Sequence, residues 1–128
     1  IGGKLELNLG HDLPFVRGND IQLEQVFINL CNNACDAMEQ SKERTLTIQS
    51  MAEGDEVVVQ VSDTGTGMRP EVQERVFEFF FTTKSADKGT GLGMSISQNI
   101  IEQHKGQIRF NSELGRGTTF EIYLPVAS

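Results

Sequence analysis

Apolar positions recur at spacings of three and four between residues 20 and 40: Leu23, Val26, Phe27, Leu30, Ala34, Ala37 and Met38. That period predicts one long helix, from about Asp20 to Gln40, with a single apolar stripe. Asn19 or Asp20 is suited to cap its start. Elsewhere the period is two. "KLELNL" (4–9) predicts an edge strand, and "TLTIQSM" (45–51) and "EVVVQVSD" (56–63) predict two more, joined by the turn "AEGD". "RPEVQERVFEFF" (69–80) predicts a short helix with Pro70 early in it, where a missing N–H costs little. "TTKSADKGTG" (82–91) is polar and without period, and predicts a mobile loop. Leu92, Ile96, Ile100 and Ile101 mark a further helix ending near Gly106. "QIRFNS" and "TTFEIYL" predict a closing hairpin around "ELGRG".

The predicted order is strand, helix, two strands, short helix, loop, helix, two strands. It implies an α+β fold: a two-layer α/β sandwich with a mixed, mostly antiparallel sheet of about five strands and three helices on one face. A length of 128 residues suits one domain with one core. Two similar glycine runs, "DTGTGM" (63–68) and "GTGLGM" (89–94), raise the question of duplication. The segments that follow them do not repeat each other, so one site served by two permissive loops is the better account.

Charge narrows the class. The net charge is −7 with no cluster of Lys and Arg. Nucleic acid and anionic membrane surfaces need such a cluster, so neither is expected as a partner. No apolar run approaches the roughly twenty residues of a membrane span. Cys31 and Cys35 lie four apart with His11 and His104 far off in sequence, a poor zinc pattern that fits two thiols in a reducing compartment.

Three places carry candidate chemistry. Asn29 and Asn33 stack on one face of the long helix at the margin of its apolar stripe, beside Gln25 and Asp36, while Asn32 points away. Two amides there either are margin polar residues or offer carbonyl oxygens to a hard cation. Asp63 ends a strand and shares the face of Val57, Val59 and Val61, the face expected against the helices. A carboxylate there needs a donor: a backbone N–H, or a ligand amino group such as that of adenine. Gly65 and Gly67 follow it and let backbone approach closely. Third, Gly89, Gly91 and Gly93 lead into the helix of Ile96 and Ile100, where free N–H groups and the helix dipole favour an anion. The run is neither a Rossmann fingerprint nor a Walker A loop, since no strand precedes it and no Gly-Lys-Ser/Thr closes it. Together the three supply a cation ligand, an adenine reader and a phosphate cradle.

In this combination the chain resembles the ATP-binding catalytic domain of bacterial sensor histidine kinases, of the gyrase, Hsp90, histidine kinase and MutL superfamily, with its Bergerat-type fold. "QVFINLCNNACDAM" resembles the N box and "DTGTGM" the first G box. "FEFFFTTK" resembles the F box, "GTGLGM" the second G box and "GRGTTF" the third. The resemblance covers essentially residues 1–128, which it makes a single ATP-binding catalytic domain with the phosphoacceptor hairpin outside it. It implies ATP and Mg²⁺ as ligands. Asn33 would hold Mg²⁺, with Asn29 beside the metal and the triphosphate. Asp63 would accept from the adenine amino group, supported by Thr118 partly through water. Gly65 and Gly67 would lie against the nucleotide, and Gly89, Thr90, Gly91, Leu92 and Gly93 would wrap the phosphates. Lys84, in a lid from Thr82 to Thr90, would reach the γ-phosphate. Phe79 stands where the family often has Pro, Met94 where Leu is frequent, and Asp36 where many relatives have a basic residue.

The resemblance also implies a reaction: transfer of the γ-phosphoryl group to a histidine on a separate dimerisation and phosphoacceptor domain of the same parent kinase, and from there to a response regulator. The alternatives are an ATP-hydrolysing clamp of the same superfamily and a non-catalytic nucleotide-binding scaffold. The clamps place a Glu four residues before the metal-holding Asn; Asn29 occupies that position here and cannot take a proton. Neither His11 nor His104 has the acidic helical neighbour expected of a phosphoacceptor. The expected setting is cytoplasmic, as a monomer without direct membrane contact, the parent being membrane-anchored or free.

Overall fold

The computed structural model describes residues 4–10, 18, 20–39, 41–78 and 93–126. The chain runs β1 (Lys4–Leu9), α1 (Asp20–Ala37), β2 (Thr45–Glu53), β3 (Glu56–Asp63), α2 (Pro70–Gln73), α3 (Gly93–Gln103), β4 (Gln107–Glu113) and β5 (Gly117–Pro125). The strands form one five-stranded sheet in the order β1-β2-β3-β5-β4. Among the described residues only the β1–β2 pair is parallel. A parallel pair needs a long crossover, and α1 supplies it. The predicted element order and the mixed, mostly antiparallel sheet are both present.

Cross-strand register decides which side chains meet α1 and α3. Val61 faces Phe120 on β5, which faces Phe110 on β4; Ile122 faces Ile108. This row packs with Val26 and Leu30 of α1 and with Met94, Ile100 and Ile101 of α3 into one buried cluster. Leu30, Ile101 and Ile122 are essentially inaccessible. The other sheet face is polar and self-paired: Gln60 Nε2 donates to Glu121 Oε2 at 2.7 Å, and the Ser62 and Thr119 hydroxyls lie 2.8 Å apart. Val58 breaks the alternation. It points to the polar face between Met51 and Tyr123, yet is 1% exposed.

Two element ends differ from the periodic pattern, and a third, that of α3, falls near Gly106 as expected. α1 stops at Ala37 rather than near Gln40. Its last turns are closed from outside: Ala37 O accepts from Thr66 N–H at 3.2 Å, and Arg44 donates to Glu39 O and Ser41 O. The expected helix over 69–80 is regular only at Pro70–Gln73. Beyond it the bonds tighten to three-residue turns, Arg75 N–H to Val72 O and Glu78 N–H to Arg75 O. Phe77 then packs edge-on against Phe110, ring centres 5.9 Å apart. α3 ends in a Schellman pattern, Gly106 N–H to Ile101 O and Lys105 N–H to Glu102 O, with Lys105 at φ 62°. The expected cap at Asn19, the loop 82–91 and the residues Phe79, Phe80 and Phe81 lie outside the described residues.

Candidate functional site

Asp63 ends β3 on the inward row, half-buried as its parity predicts. Its Oδ1 accepts from Gly65 N–H at 2.8 Å and from Thr118 N–H at 3.3 Å. Burial pushes the carboxyl above the usual carboxylate range, and the two N–H groups oppose that rise without cancelling it. Among the described residues both of its hydrogen bonds fall on Oδ1. Neither of them engages Oδ2.

The loop that follows is held at several points. Thr64 Oγ1 donates to Glu43 O and accepts from Thr45 N–H, both at 2.9 Å. Thr66 O accepts from Gly115 N–H at 2.7 Å. Met68 N–H donates to Ser112 Oγ at 2.8 Å, and Gln73 Nε2 donates to Met68 O at 2.8 Å. Two glycines are required here. A Cβ on Gly65 would sit 2.5 Å from Ala37 O, and Gly67 has φ 72° with a Cβ position that collides with Glu113 O. The loop thus lies on the end of α1 on one side and on the β4–β5 hairpin on the other.

α1 continues the site one and two turns earlier. Asn29, Asn33 and Ala37 succeed each other at one-turn intervals. Asn29 Nδ2 donates to Ser97 Oγ at 3.2 Å and to Gly93 O at 3.4 Å, and Asn33 Nδ2 donates to Met94 Sδ at 2.9 Å. Both amides therefore engage the first turns of α3, and one face of α1 carries the Asp63 loop and the α3 N-terminus side by side. Asn32 is exposed, as its position on the helix predicts.

The structure brings together Asn29, Asn33, Asp63, Gly65, Gly67, Gly93 and Thr118. Thr118 contacts Asp63 through its main-chain N–H, while its buried hydroxyl pairs with Ser112 Oγ at 2.8 Å. Lys84, Gly89, Thr90, Gly91 and Leu92 lie outside the described residues. Sequence reasoning missed Ser112, Gln73, Thr64 and Ser97. Two of these left a signal. Ser112 falls on the inward parity of Ile108 and Phe110, and Ser97 falls on the stripe of Ile100 and Ile101, where a hydroxyl needs a partner.

Among the described residues no three His, Cys, Asp or Glu side chains gather as a metal site. A hard divalent ion is still compatible with the amide oxygens of α1, because Mg²⁺ keeps several waters and takes further ligands from substrate phosphates. Among the described residues no helix is long and apolar enough to cross a membrane.

Comparison with known proteins agrees with this arrangement. Residues 18–128 match the family described as histidine kinase-, DNA gyrase B-, and HSP90-like ATPase. The chain is 44% identical to the sensor kinase CckA of Brucella abortus (strain 2308), in an alignment covering 98% of this chain and 15% of that protein. Full-length ShkA in complex with AMPPNP superposes with a TM-score of 0.84 at 28% identity, over 99% of this chain and 26% of that one. The nucleotide-free catalytic domain of the histidine kinase ThkA gives 0.82 at 30% identity, over 98% of this chain and 81% of that one. The chain therefore spans only a small part of the curated relative, and about four-fifths of an isolated catalytic domain. With a match that runs from Gly18 to the last residue, it belongs to the histidine kinase-, DNA gyrase B- and HSP90-like ATPase family.

Proposed function

We propose that this chain is the catalytic domain of a sensor histidine kinase: it binds Mg-ATP and transfers the γ-phosphoryl group to a histidine on a separate phosphoacceptor domain of its parent protein, which then serves a response regulator. The observation that carries this is the half-buried Asp63 carboxylate, with one oxygen committed to backbone N–H groups and the other edge available to the adenine amino group. Gly65 and Gly67 keep the backbone beside it clear of side chains. Asn29, Asn33 and the N-terminus of α3 form the phosphate end. Asn33 would hold Mg²⁺, with Asn29 beside it, and the ion would supply positive charge against that of the phosphates.

The rest of the chemistry is positioning. A neutral imidazole is already nucleophilic, so the domain has only to hold the γ-phosphoryl in line and exclude rival acceptors. Asn29 favours transfer to a side chain over hydrolysis, since an amide cannot accept a proton from water. Gly89, Thr90, Gly91, Leu92 and Gly93 are assigned to the phosphates and Lys84 to the γ-phosphate. The proposal places the domain in the cytoplasm as a monomer. The test mixes this domain, Mg-ATP and a separately expressed acceptor hairpin of a relative. Acid-labile, base-stable phosphate on the hairpin is the expected result; release of inorganic phosphate alone would assign the domain to the hydrolysing branch instead.

A further inference from the structure

Both main-chain donors at Asp63 fall on one oxygen: Gly65 N–H at 2.8 Å and Thr118 N–H at 3.3 Å meet Oδ1. An oxygen that already accepts twice is a poor seat for a proton, which would face two N–H hydrogens there. A proton taken up by the carboxyl therefore goes to Oδ2. In the proposed site Oδ2 is the atom that reads the base. Ionised, it accepts, which suits the amino group of adenine. Protonated, it donates, which suits the O6 carbonyl of a 6-oxopurine such as hypoxanthine. The adjoining hydroxyls do not fix the polarity themselves. Those of Thr118 and Ser112 lie 2.8 Å apart, either can donate, and Ser112 has Gly117 O at 3.4 Å as a second acceptor. Thr118 thus has a proton or a lone pair to give a base, as the base requires.

No charged side chain sets the polarity either. β2 places Leu46 opposite Asp63 and β5 places Thr118 beside it, and neither titrates. The charged groups of the other elements around the loop are Asp36 at the end of α1, Lys42, Glu43 and Arg44 in the connection to β2, and Glu113 and Arg116 of the β4–β5 hairpin. None of these is a cause of the shift at Asp63: burial raises its carboxyl, the two N–H groups lower it, and burial prevails. The protonated form is thereby brought up into mildly acid solution. We infer that Asp63 gives the site a second ligand class: with a proton on Oδ2 it binds 6-oxopurine nucleotides, base recognition being reversed at the same atom. The inference rests on the proposed assignment of Asp63 to adenine.

The test compares ADP with inosine diphosphate, which differs from it only along the base edge. Affinities are measured by calorimetry at about pH 7.5 and about pH 5, the lower value chosen to approach a raised carboxyl. The phosphates are common to both ligands, so their own titration cancels in the ratio. At the higher pH ADP should bind more tightly by roughly tenfold, since inosine diphosphate sets two acceptors against each other. On acidification the affinity of inosine diphosphate relative to ADP should rise by roughly tenfold or more, and inosine diphosphate should take up more protons on binding than ADP does. In Asp63→Asn the same two N–H groups select the amide oxygen and leave NH₂ in place of Oδ2. Its ratio should favour inosine diphosphate at both pH values and hardly change between them. If that variant does not fold, the parent ratio and proton uptake decide alone. A parent ratio indifferent to pH overturns the inference, as does a ratio that changes equally in Asp63→Asn, which would place the titrating group elsewhere. A parent that binds both ligands alike at the higher pH also overturns it, while leaving nucleotide binding in place. Absence of ADP binding is a separate outcome, which removes the nucleotide site and the inference with it.

Discussion

Two main-chain N–H groups stabilise the ionised form of Asp63, and burial outweighs them. The folded chain therefore binds this proton more tightly than the unfolded chain does. The sign of the linkage follows: the stability contributed by the protonated form is complete below the unfolded pKa and is lost as pH rises through the raised folded value. At neutral pH the ionised carboxyl is thus a local cost. Asp63→Asn should raise the melting temperature at neutral pH, and the advantage should vanish on acidification; a variant less stable at every pH would show that the carboxylate supports the fold. Binding should move the other way. The amide can turn its NH₂ toward the adenine amino group, leaving two donors opposed, and about 1–3 kcal/mol is expected for such an unsatisfied group. Calorimetry with ADP should register that loss, and undiminished affinity would remove Asp63 from base recognition. That Asp63 faces inward was legible from its parity with Val57 and Val61. Its partnership with Thr118 came only from the family resemblance, because a contact between residues 55 positions apart leaves no periodic trace.

Among the elements, the interiors of helices and strands and the bounds of β1 and β3 were legible, whereas the ends of α1 and α2 were not. Leu23 to Met38 dictated α1 by spacing, but its stop depends on Thr66 N–H and the Arg44 side chain, which arrive from elsewhere in the chain. The short α2 was overextended in prediction because Phe77 was counted as a helix residue, whereas it leaves the helix to meet Phe110. α3 shows the opposite case, an end set locally. Lys105 adopts φ 62° at the position where glycine usually sits, and a side chain there costs roughly 1–2 kcal/mol in the left-handed region. Lys105→Gly gives part of that back to the unfolded chain's greater freedom. The net expectation is stabilisation of a few tenths to about 1 kcal/mol, read as a higher urea midpoint at unchanged slope. A lower midpoint would mean that the Lys105 side chain carries a contact worth more than its backbone strain.

For the molecule as a whole, the sequence pattern yielded the strand order class and the side of the sheet that meets the helices, since both follow from period and connection length. It did not yield Val58, whose near-complete burial on the polar face depends on packing beyond its own strand's alternation. The assembled site makes ligand binding a property of the entire fold: Asn29 meets Ser97 and Asp63 meets Thr118 across 68 and 55 residues. Mg-ATP should therefore stabilise the chain globally, by about 2.7 kcal/mol at one hundred times its dissociation constant. A thermal-shift titration should show the rise, and Asp63→Asn should flatten it; a parent melting curve indifferent to millimolar Mg-ATP would contradict nucleotide binding.

The hairpin of β4 and β5 gives this dependence a direction in time. β5 lies inside the sheet, between β3 and β4, although it comes last in the chain. During synthesis, β3 would stand with one edge unpaired until residues beyond Gly117 leave the ribosome. In that interval both glycine motifs are already made, yet Asp63 lacks the Thr118 N–H and Met68 lacks Ser112. An unpaired strand carrying Val57, Val58, Val59 and Val61 is a template for association with other chains. The nascent domain is thus most exposed to misassembly just before its last strand closes, and nucleotide cannot rescue it there, because the pocket that would bind nucleotide is completed by that same strand.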